Sequence, residues 1–453
     1  MPPLPERRVS RTLAIAFALG MTLSTSVSAG DPDVYQPNTD PAVGFNLISW
    51  ANFGGSGANR WREAVRGLHE AGFSEVSISP VRFVNPATGV IASSSSKGPE
   101  LSHIAAGVAE AKSLGMRVTV NPFVEPENFA FWRGQYDPNP GSQSWSTFWQ
   151  DYEDYLVEVA VVAQANGADA LNVGTELRAI TRNSGNNGKW ASVIAAVDDA
   201  FTGELGYAAN WDNYRNGNLT DAVWKNPAID YLGIDAYFRD TTSNAESDAS
   251  GADPNEAFIT QVEQGWNDRL DNEILPFAAS LRAGGGLPVV LTEVGYLPYN
   301  RTTVTPQNNS GAVDTDEQVM AFKGLTRALN GRKAELGAIH VWQWGMAGSN
   351  GSQWNIAAGA PSDQPNNIPL GKWLSGFVSA PALAGDFNGD SVVDAADYAT
   401  WRDGTRPVSD YQVWAERYGD ALVLPGQVVS IPEPLGVSLA LSASLAAIWR
   451  GFY

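Results

Sequence analysis

The chain has no cysteine in its 453 residues. That removes thiol nucleophiles, disulfides and cysteine-ligated zinc from consideration. Histidine is nearly absent as well, with only His69, His103 and His340 present. The first two fall in helical patterns and read as surface or packing residues. A histidine triad or a three-histidine metal site therefore has almost no material. Positive charge is also short. Against 29 basic residues stand 49 acidic ones, for a formal net charge of −20. Nucleic acid and anionic lipid are poor partners for such a surface. No Gly-rich phosphate turn follows the first strand-like segment, which argues against an open dinucleotide-binding sheet.

What the chain does have is apolar and aromatic. It is 43% hydrophobic and 17% charged, enough to bury a large core. Most of its 16 Trp, 14 Tyr and 17 Phe will fill that core. A surplus of Trp in an acidic protein also suits stacking against the CH faces of a neutral sugar.

Both ends carry sorting patterns. Arg7-Arg8-Val9-Ser10-Arg11, an apolar stretch from Leu13 to Leu23 and then Val27-Ser28-Ala29 have the order of a secretory signal peptide, residues 1–29. Residues 30–41 read as a polar linker. At the far end Pro432-Glu433-Pro434 precedes an apolar run from Leu435 to Trp449, followed by Arg450. That run is short for a membrane span. Its order resembles the PEP-CTERM sorting signals of Gram-negative bacteria, here residues 431–453. The resemblance implies an exosortase-type transpeptidase as partner, and delivery to the cell surface or an extracellular matrix.

Between the ends, β-branched apolar runs alternate with helical patterns. Strands are expected over 43–50, 73–83, 116–124, 168–175, 205–210, 229–237, 289–292 and 338–344. Helices are expected over 59–71, 101–114, 145–165, 189–201, 255–283 and 317–329. Eight strands mostly separated by helices predict a (β/α)8 barrel over residues 42–378. In that fold chemistry gathers at the C-terminal strand ends. The candidates there are Trp50, Arg82, Asn121, Glu125, Glu176, Asn210, Trp211, Asp235, Tyr237, Glu293, Trp342 and Trp344.

Glu176 and Glu293 stand apart. Each closes a buried-looking strand, where a carboxylate is costly unless something uses it. Paired carboxylates are the machinery of glycosidic bond cleavage. One protonates the leaving oxygen and the other acts at the anomeric carbon. A spacing of about 5–5.5 Å specifies retention, and about 6.5–9.5 Å inversion. By strand count the pair follows strands four and seven, which face each other across a barrel mouth.

Val173-Gly174-Thr175-Glu176-Leu177 and Leu291-Thr292-Glu293-Val294-Gly295-Tyr296 resemble glycoside hydrolase family 113, a β-mannanase-type family of clan A. The resemblance spans roughly residues 42–375. It implies a retaining, endo-acting enzyme on β-mannan-type polysaccharide, with Glu176 as acid/base, Glu293 as nucleophile and no catalytic cofactor. It further implies Arg82 as a cation near the nucleophile, Tyr237 as its hydroxyl contact and Trp344 as the floor under the reacting sugar. Trp50, Asn121, Asn210, Trp211, Asp235, Tyr296 and Trp342 complete the expected substrate-binding set. Many clan members carry Asn just before the acid/base, whereas this chain has Thr175. Galactan or glucan specificity, and a non-catalytic glycan-binding barrel, are the competing readings. A metal-dependent hydrolase suffers from the shortage of His and Cys.

An acidic loop follows the barrel. Asp386, Asn388, Asp390, Asp394 and Asp397 stand at positions 1, 3, 5, 9 and 12 of a twelve-residue calcium loop, with the Val392 carbonyl at position 7. The terminal Asp resembles the dockerin type. Asp397-Tyr398-Ala399-Thr400-Trp401 is echoed by Asp410-Tyr411-Gln412-Val413-Trp414. Residues 384–420 thus read as a small helical calcium-loop module holding Ca2+, with a degenerate second half. Its partner is a cohesin-type domain, or else the module is a calcium-stabilised spacer.

Overall fold

Short runs of buried residues, each followed by a polar or proline-marked break, set the strand lengths. In the computed structural model they pair in parallel, each with the next. The structure describes residues 39–344, apart from 71–72, 93–96, 216–219, 241–255, 298, 307–311 and 313, together with 393, 395–403 and 408–418. The strands are β1 (Ala42–Ile48), β2 (Glu75–Ser79), β3 (Val81–Val84), β4 (Arg117–Val120), β5 (Phe123–Pro126), β6 (Ala170–Thr175), β7 (Glu204–Asn210), β8 (Leu232–Asp235), β9 (Val289–Val294) and β10 (Leu336–Trp344). Eight close a barrel in the order β1-β10-β9-β8-β7-β6-β4-β2. This is the expected (β/α)8 closure, with Glu176 after the fourth barrel strand β6 and Glu293 in the seventh, β9.

Two expected strands are each split by a proline. The second breaks at Pro80 and the third at Asn121-Pro122. Proline donates no ladder hydrogen bond, so a central strand cannot run through it. Beyond the breaks, β3 and β5 pair with each other as a separate two-stranded ribbon. The Phe123 N–H donates to the Pro80 carbonyl at 2.8 Å to start it.

The helices are α1 (Gly57–Glu70), α2 (Leu101–Ser113), α3 (Gln143–Ala165), α4 (Arg178–Arg182), α5 (Asn187–Ala200), α6 (Glu256–Arg269), α7 (Leu275–Ser280) and α8 (Thr315–Leu329). The helix expected over 255–283 is interrupted by a π-turn at Leu270–Ile274. Pro276, in the first turn of α7, has no N–H for the regular ladder, and the wider turn absorbs that loss. Among the described residues, a π-turn at Thr220–Trp224 is the helical piece between β7 and β8.

The longest helix, α3, braces the site. Ser142 caps it, its hydroxyl accepting from the Trp145 N–H at 3.1 Å. Phe148, Trp149, Tyr152, Tyr155, Leu156 and Val159 recur at helical spacing and are buried. Tyr152 donates from its hydroxyl to the Val173 carbonyl at 2.8 Å, and Tyr207 accepts from the Leu177 N–H at 2.8 Å. Both bonds fix the end of β6 where Glu176 emerges.

The end of the polar linker joins the barrel: Asp40 is buried, and its carboxylate accepts from the Gly331 N–H at 2.7 Å. Near the C-terminus lie α9 (Ala395–Asp403) and α10 (Val408–Arg417), where the sequence repeat is found. Tyr398 and Trp414 pack at 5.1 Å between ring centroids, and Trp401 and Tyr411 at 5.2 Å. Asp397 is buried in the first turn of α9. Asp386, Asn388, Asp390, Val392 and Asp394 lie outside the described residues, as do 1–29 and 431–453. No helix among the described residues is long and apolar enough to cross a membrane.

Candidate active site

Register slips aim the two glutamates. Along β6 and β7, Asn172 pairs with Gly206 but Thr175 with Ala208, so β6 gains one residue. Between β8 and β9, Ile234 pairs with Leu291 but Asp235 with Glu293, so β9 gains one. Such slips re-aim side chains at a sheet rim. The first occurs beside Gly174, where a Cβ would meet the Tyr152 hydroxyl at 2.5 Å. Glu176 itself sits in the left-handed region at φ 50°, a conformation costing a non-glycine residue roughly 1–3 kcal/mol.

Both carboxylates open on one cavity of about 630 Å³. Trp132, Arg133, Arg178, Asn210, Trp211, Asp212, Tyr237 and Trp342 line it with them. Three donors hold Glu176. Arg133 Nη2 approaches Oε2 at 2.5 Å, Trp132 Nε1 reaches the same oxygen at 3.3 Å, and Asn210 Nδ2 reaches Oε1 at 2.8 Å. Glu293 is poorer in partners. The Tyr237 hydroxyl donates to its Oε2 at 2.8 Å, and its buried Oε1 has none.

The electrostatics follow from this contrast. Burial, reinforced by the negative charge of Glu176, pushes the Glu293 carboxyl up to about 8, with Arg133 and the Tyr237 hydrogen bond pulling the other way. Burial likewise raises Glu125, against the pull of Arg133. Asp235, paired with Glu293 across β8 and β9, is pushed well above the carboxylate range by burial and then by Glu293 and Glu176. Its Oδ1 accepts from the Thr292 hydroxyl at 2.7 Å. Arg133 is the common counter-charge, bonding Glu125 through Nη1 at 2.7 Å while Nη2 bonds Glu176. Its guanidinium lies over the Phe123 ring at 4.5 Å.

This constellation has a known setting. The model of Glycoside Hydrolase Family 113 matches residues 49–354. The chain belongs to that family. It is accordingly a glycoside hydrolase. Among solved structures, the fold is similar to the family 113 β-mannanase AaManA from Alicyclobacillus acidocaldarius, solved with ManMIm. The TM-score is 0.56 at 20% identity, covering 73% of this chain and 95% of that one. It is also similar to a family 113 β-1,4-mannanase at TM-score 0.55 and 16% identity, covering 74% and 98%. No curated protein matches the chain.

Within this family 113 barrel, six of the expected residues meet at the cleft: Glu176, Glu293, Asn210, Trp211, Tyr237 and Trp342. Trp50 stands at its edge, packed on Phe123 and Phe129 at 5.9 and 5.7 Å. Asp235 is buried beside Glu293, its register partner. Four expectations are corrected. Arg82 points away, because alternation along β3 gives the cleft side to Val81 and Phe83, which cluster with Tyr237 and Trp342. Trp344 packs on Phe45 and Phe73 instead of flooring the cleft. Its side is set by a slip between β1 and β10, where Phe45 pairs with Val341 but Leu47 with Trp344. Asn121 is buried below the site and accepts from Asn172 and Thr175, both at 2.8 Å. Thr175 is thereby turned into the barrel, away from the cleft. Tyr296 belongs to a buried cluster outside the cleft, donating to Asp240 and accepting from Trp266 Nε1 at 2.6 Å.

Four cleft residues had no sequence expectation: Trp132, Arg133, Arg178 and Asp212. The first two lie in the long loop after β5, where no periodicity guides a reading. Their signal was a single basic residue preceded by two aromatics, Phe131-Trp132-Arg133. Arg178 and Asp212 pair at 2.6 Å across the rim. Among the described residues no cluster of His, Asp and Glu is arranged to hold a metal ion.

Proposed function

We propose that the protein is a retaining, endo-acting β-mannanase. Its supporting observation is the pair Glu176 and Glu293, brought from β6 and β9 to one cleft in opposite electrostatic settings. Glu176 acts as acid/base and Glu293 as nucleophile. Glu293 attacks the anomeric carbon as Glu176 protonates the departing oxygen. Glu176 then takes a proton from the water that releases the glycosyl-enzyme.

In the free protein the proton shared by the pair sits on Glu293 at neutral pH, because burial and then the charge of Glu176 raise that carboxyl to about 8. The productive arrangement has that proton on Glu176. Arg133 bonds Glu125 through its other nitrogen, so the guanidinium keeps a carboxylate partner when Glu176 takes up the proton. Trp132, Trp211 and Trp342 offer flat apolar faces for sugar rings. The similar solved structures are β-mannanases, which favours mannan over galactan or glucan.

The test is reducing-sugar release from mannan, glucan and galactan by the wild type and by Glu176→Gln and Glu293→Gln. Mannan cleavage that falls by about 10²–10⁴ in each variant is expected. Unchanged release in either variant would overturn the assignment, and cleavage of glucan or galactan alone would overturn the substrate. A rapid loss of mannan viscosity relative to reducing ends distinguishes endo from exo action.

The terminal segments add an address to this reading. Export by residues 1–29, display through 431–453 and a Ca2+-holding module at 384–420 form one delivery arrangement, with an exosortase and a cohesin-type domain as partners. Calorimetric titration of the full chain with calcium is expected to give one event that Asp386→Ala removes. No uptake by the wild type refutes the calcium module.

A further inference from the structure

The ribbon β3/β5 has two faces, and the chemistry above uses one. On the other, Arg82 projects from β3 toward α3. It is 7% exposed, and its guanidinium makes no hydrogen bond or ion pair among the described residues. Its near neighbour is the Tyr155 ring, with a centroid 5.8 Å away. A buried cation without acceptors is strongly destabilising in a dry site. Arg82 is not in a dry site. It opens on a cavity of about 450 Å³, within the range of ligand pockets, roughly 300–1,000 Å³.

The opposite wall comes from α3. Asp151, Asp154 and Glu158 line it at helical spacing, and none forms an ion pair with Arg82. Asp151 accepts from the Ile91 N–H at 2.9 Å, and Asp154 from Gln150 Nε2 at 3.2 Å. Ile91 and Ala92 give the cavity an apolar side. A free metal ion is repelled by Arg82, and a free anion by three carboxylates. A hydroxyl fits both, since it accepts from a guanidinium while donating to a carboxylate. Several hydroxyls on one face and CH groups on the other describe a sugar.

We propose that this cavity is a second sugar pocket, holding one neutral unit of the polysaccharide on the outer face of the ribbon whose inner face walls the catalytic cleft. The inference rests on the polysaccharide reading above for its source of ligand. The pocket anchors the polymer and takes no part in bond cleavage.

The measurement is saturation-transfer NMR of the full chain with mannotriose, cellotriose and galactotriose. Trp132→Ala and Trp342→Ala are introduced so that the cleft no longer retains sugar. Binding of at least one trisaccharide is expected to persist. Adding Asp154→Ala with Glu158→Ala, two exposed side chains whose removal spares the core, is expected to weaken it about tenfold or more. Arg82→Met is expected to abolish it. Undiminished binding in the Asp154/Glu158 variant overturns the proposal. So does loss of all sugar binding once the cleft is disabled, or displacement of the sugar by inorganic phosphate. A wild type that cuts no polysaccharide would instead sink the catalytic reading, and the NMR result needs no turnover.

Discussion

Replacing Tyr237 by Phe removes one oxygen and leaves Glu293 without a hydrogen bond. The lost bond is 2.8 Å long, both partners are buried, and the second carboxylate oxygen has no partner. A hydrogen bond to a charged group contributes about 1.5–3 kcal/mol, which at about 1.4 kcal/mol per pKa unit is about 1–2 units. The Glu293 carboxyl, already at about 8, should therefore rise to about 9–10. The catalytic consequence follows from the shared proton, whose titration steps belong to the pair. Across the neutral plateau the productive arrangement, with the proton on Glu176, becomes about 10–100-fold rarer. The alkaline limb of kcat/KM moves up by the same 1–2 units. Above that limb both carboxylates are ionised, and the reference state no longer contains the lost bond in its weakened form. The deficit should then shrink. The assay is kcat/KM on soluble manno-oligosaccharide from pH 4 to 10. A deficit equal at every pH, with limbs unmoved, refutes the shared-proton reasoning and reduces Tyr237 to an orienting group.

Three further outcomes follow from the same geometry. Arg133→Gln removes a cation that pulls the Glu293 carboxyl down, so that carboxyl and with it the alkaline limb should rise by about 1 unit while Arg133→Lys stays near the wild type; an unmoved limb refutes Arg133 as the counter-charge. Glu293→Gln should be more stable than the wild type, increasingly so toward alkaline pH. A carboxyl raised to about 8 supports the fold below its unfolded value and loses that support as pH climbs, at about 1.4 kcal/mol per unit; a thermal-melt difference that stays constant from pH 5 to 8 contradicts this. Trp342→Ala should raise KM as well as lower the melting temperature, because the ring is buried against Phe123 and also faces the cleft. Trp344→Ala should lower stability by about 3–5 kcal/mol and leave KM alone, and a raised KM would restore Trp344 to the cleft.

The barrel was legible because each strand is a short β-branched run bounded by turn residues, and because the two glutamates are conspicuous at strand ends. What escaped was parity. Arg82 reads as a cleft residue if strand two runs to Phe83, but alternation restarts beyond Pro80 and turns Arg82 outward. Trp344 shares a side with Trp342 in any regular strand, and a slip against β1 that no local pattern announces sends it the other way. Arg133 lies in a loop without period, so only the fold brings it to Glu176. Asn121 and Tyr296 were found at the right strand ends, one layer too deep or one loop too far. Strand ends are thus readable from composition, whereas the side a residue faces depends on pairing between distant segments.

The ribbon β3/β5 is held by its own pairing and by a bridge from Val84 to Ile91, while Pro80 and Pro122 detach it from the closed barrel. Its length is therefore free of the ring's register. Residues added to or taken from both strands would raise or lower one wall of the cleft without rotating any other strand. Enzymes that need a deeper groove or a shorter one can be built by exchanging this segment alone, as a carpenter changes a fence on a fixed table.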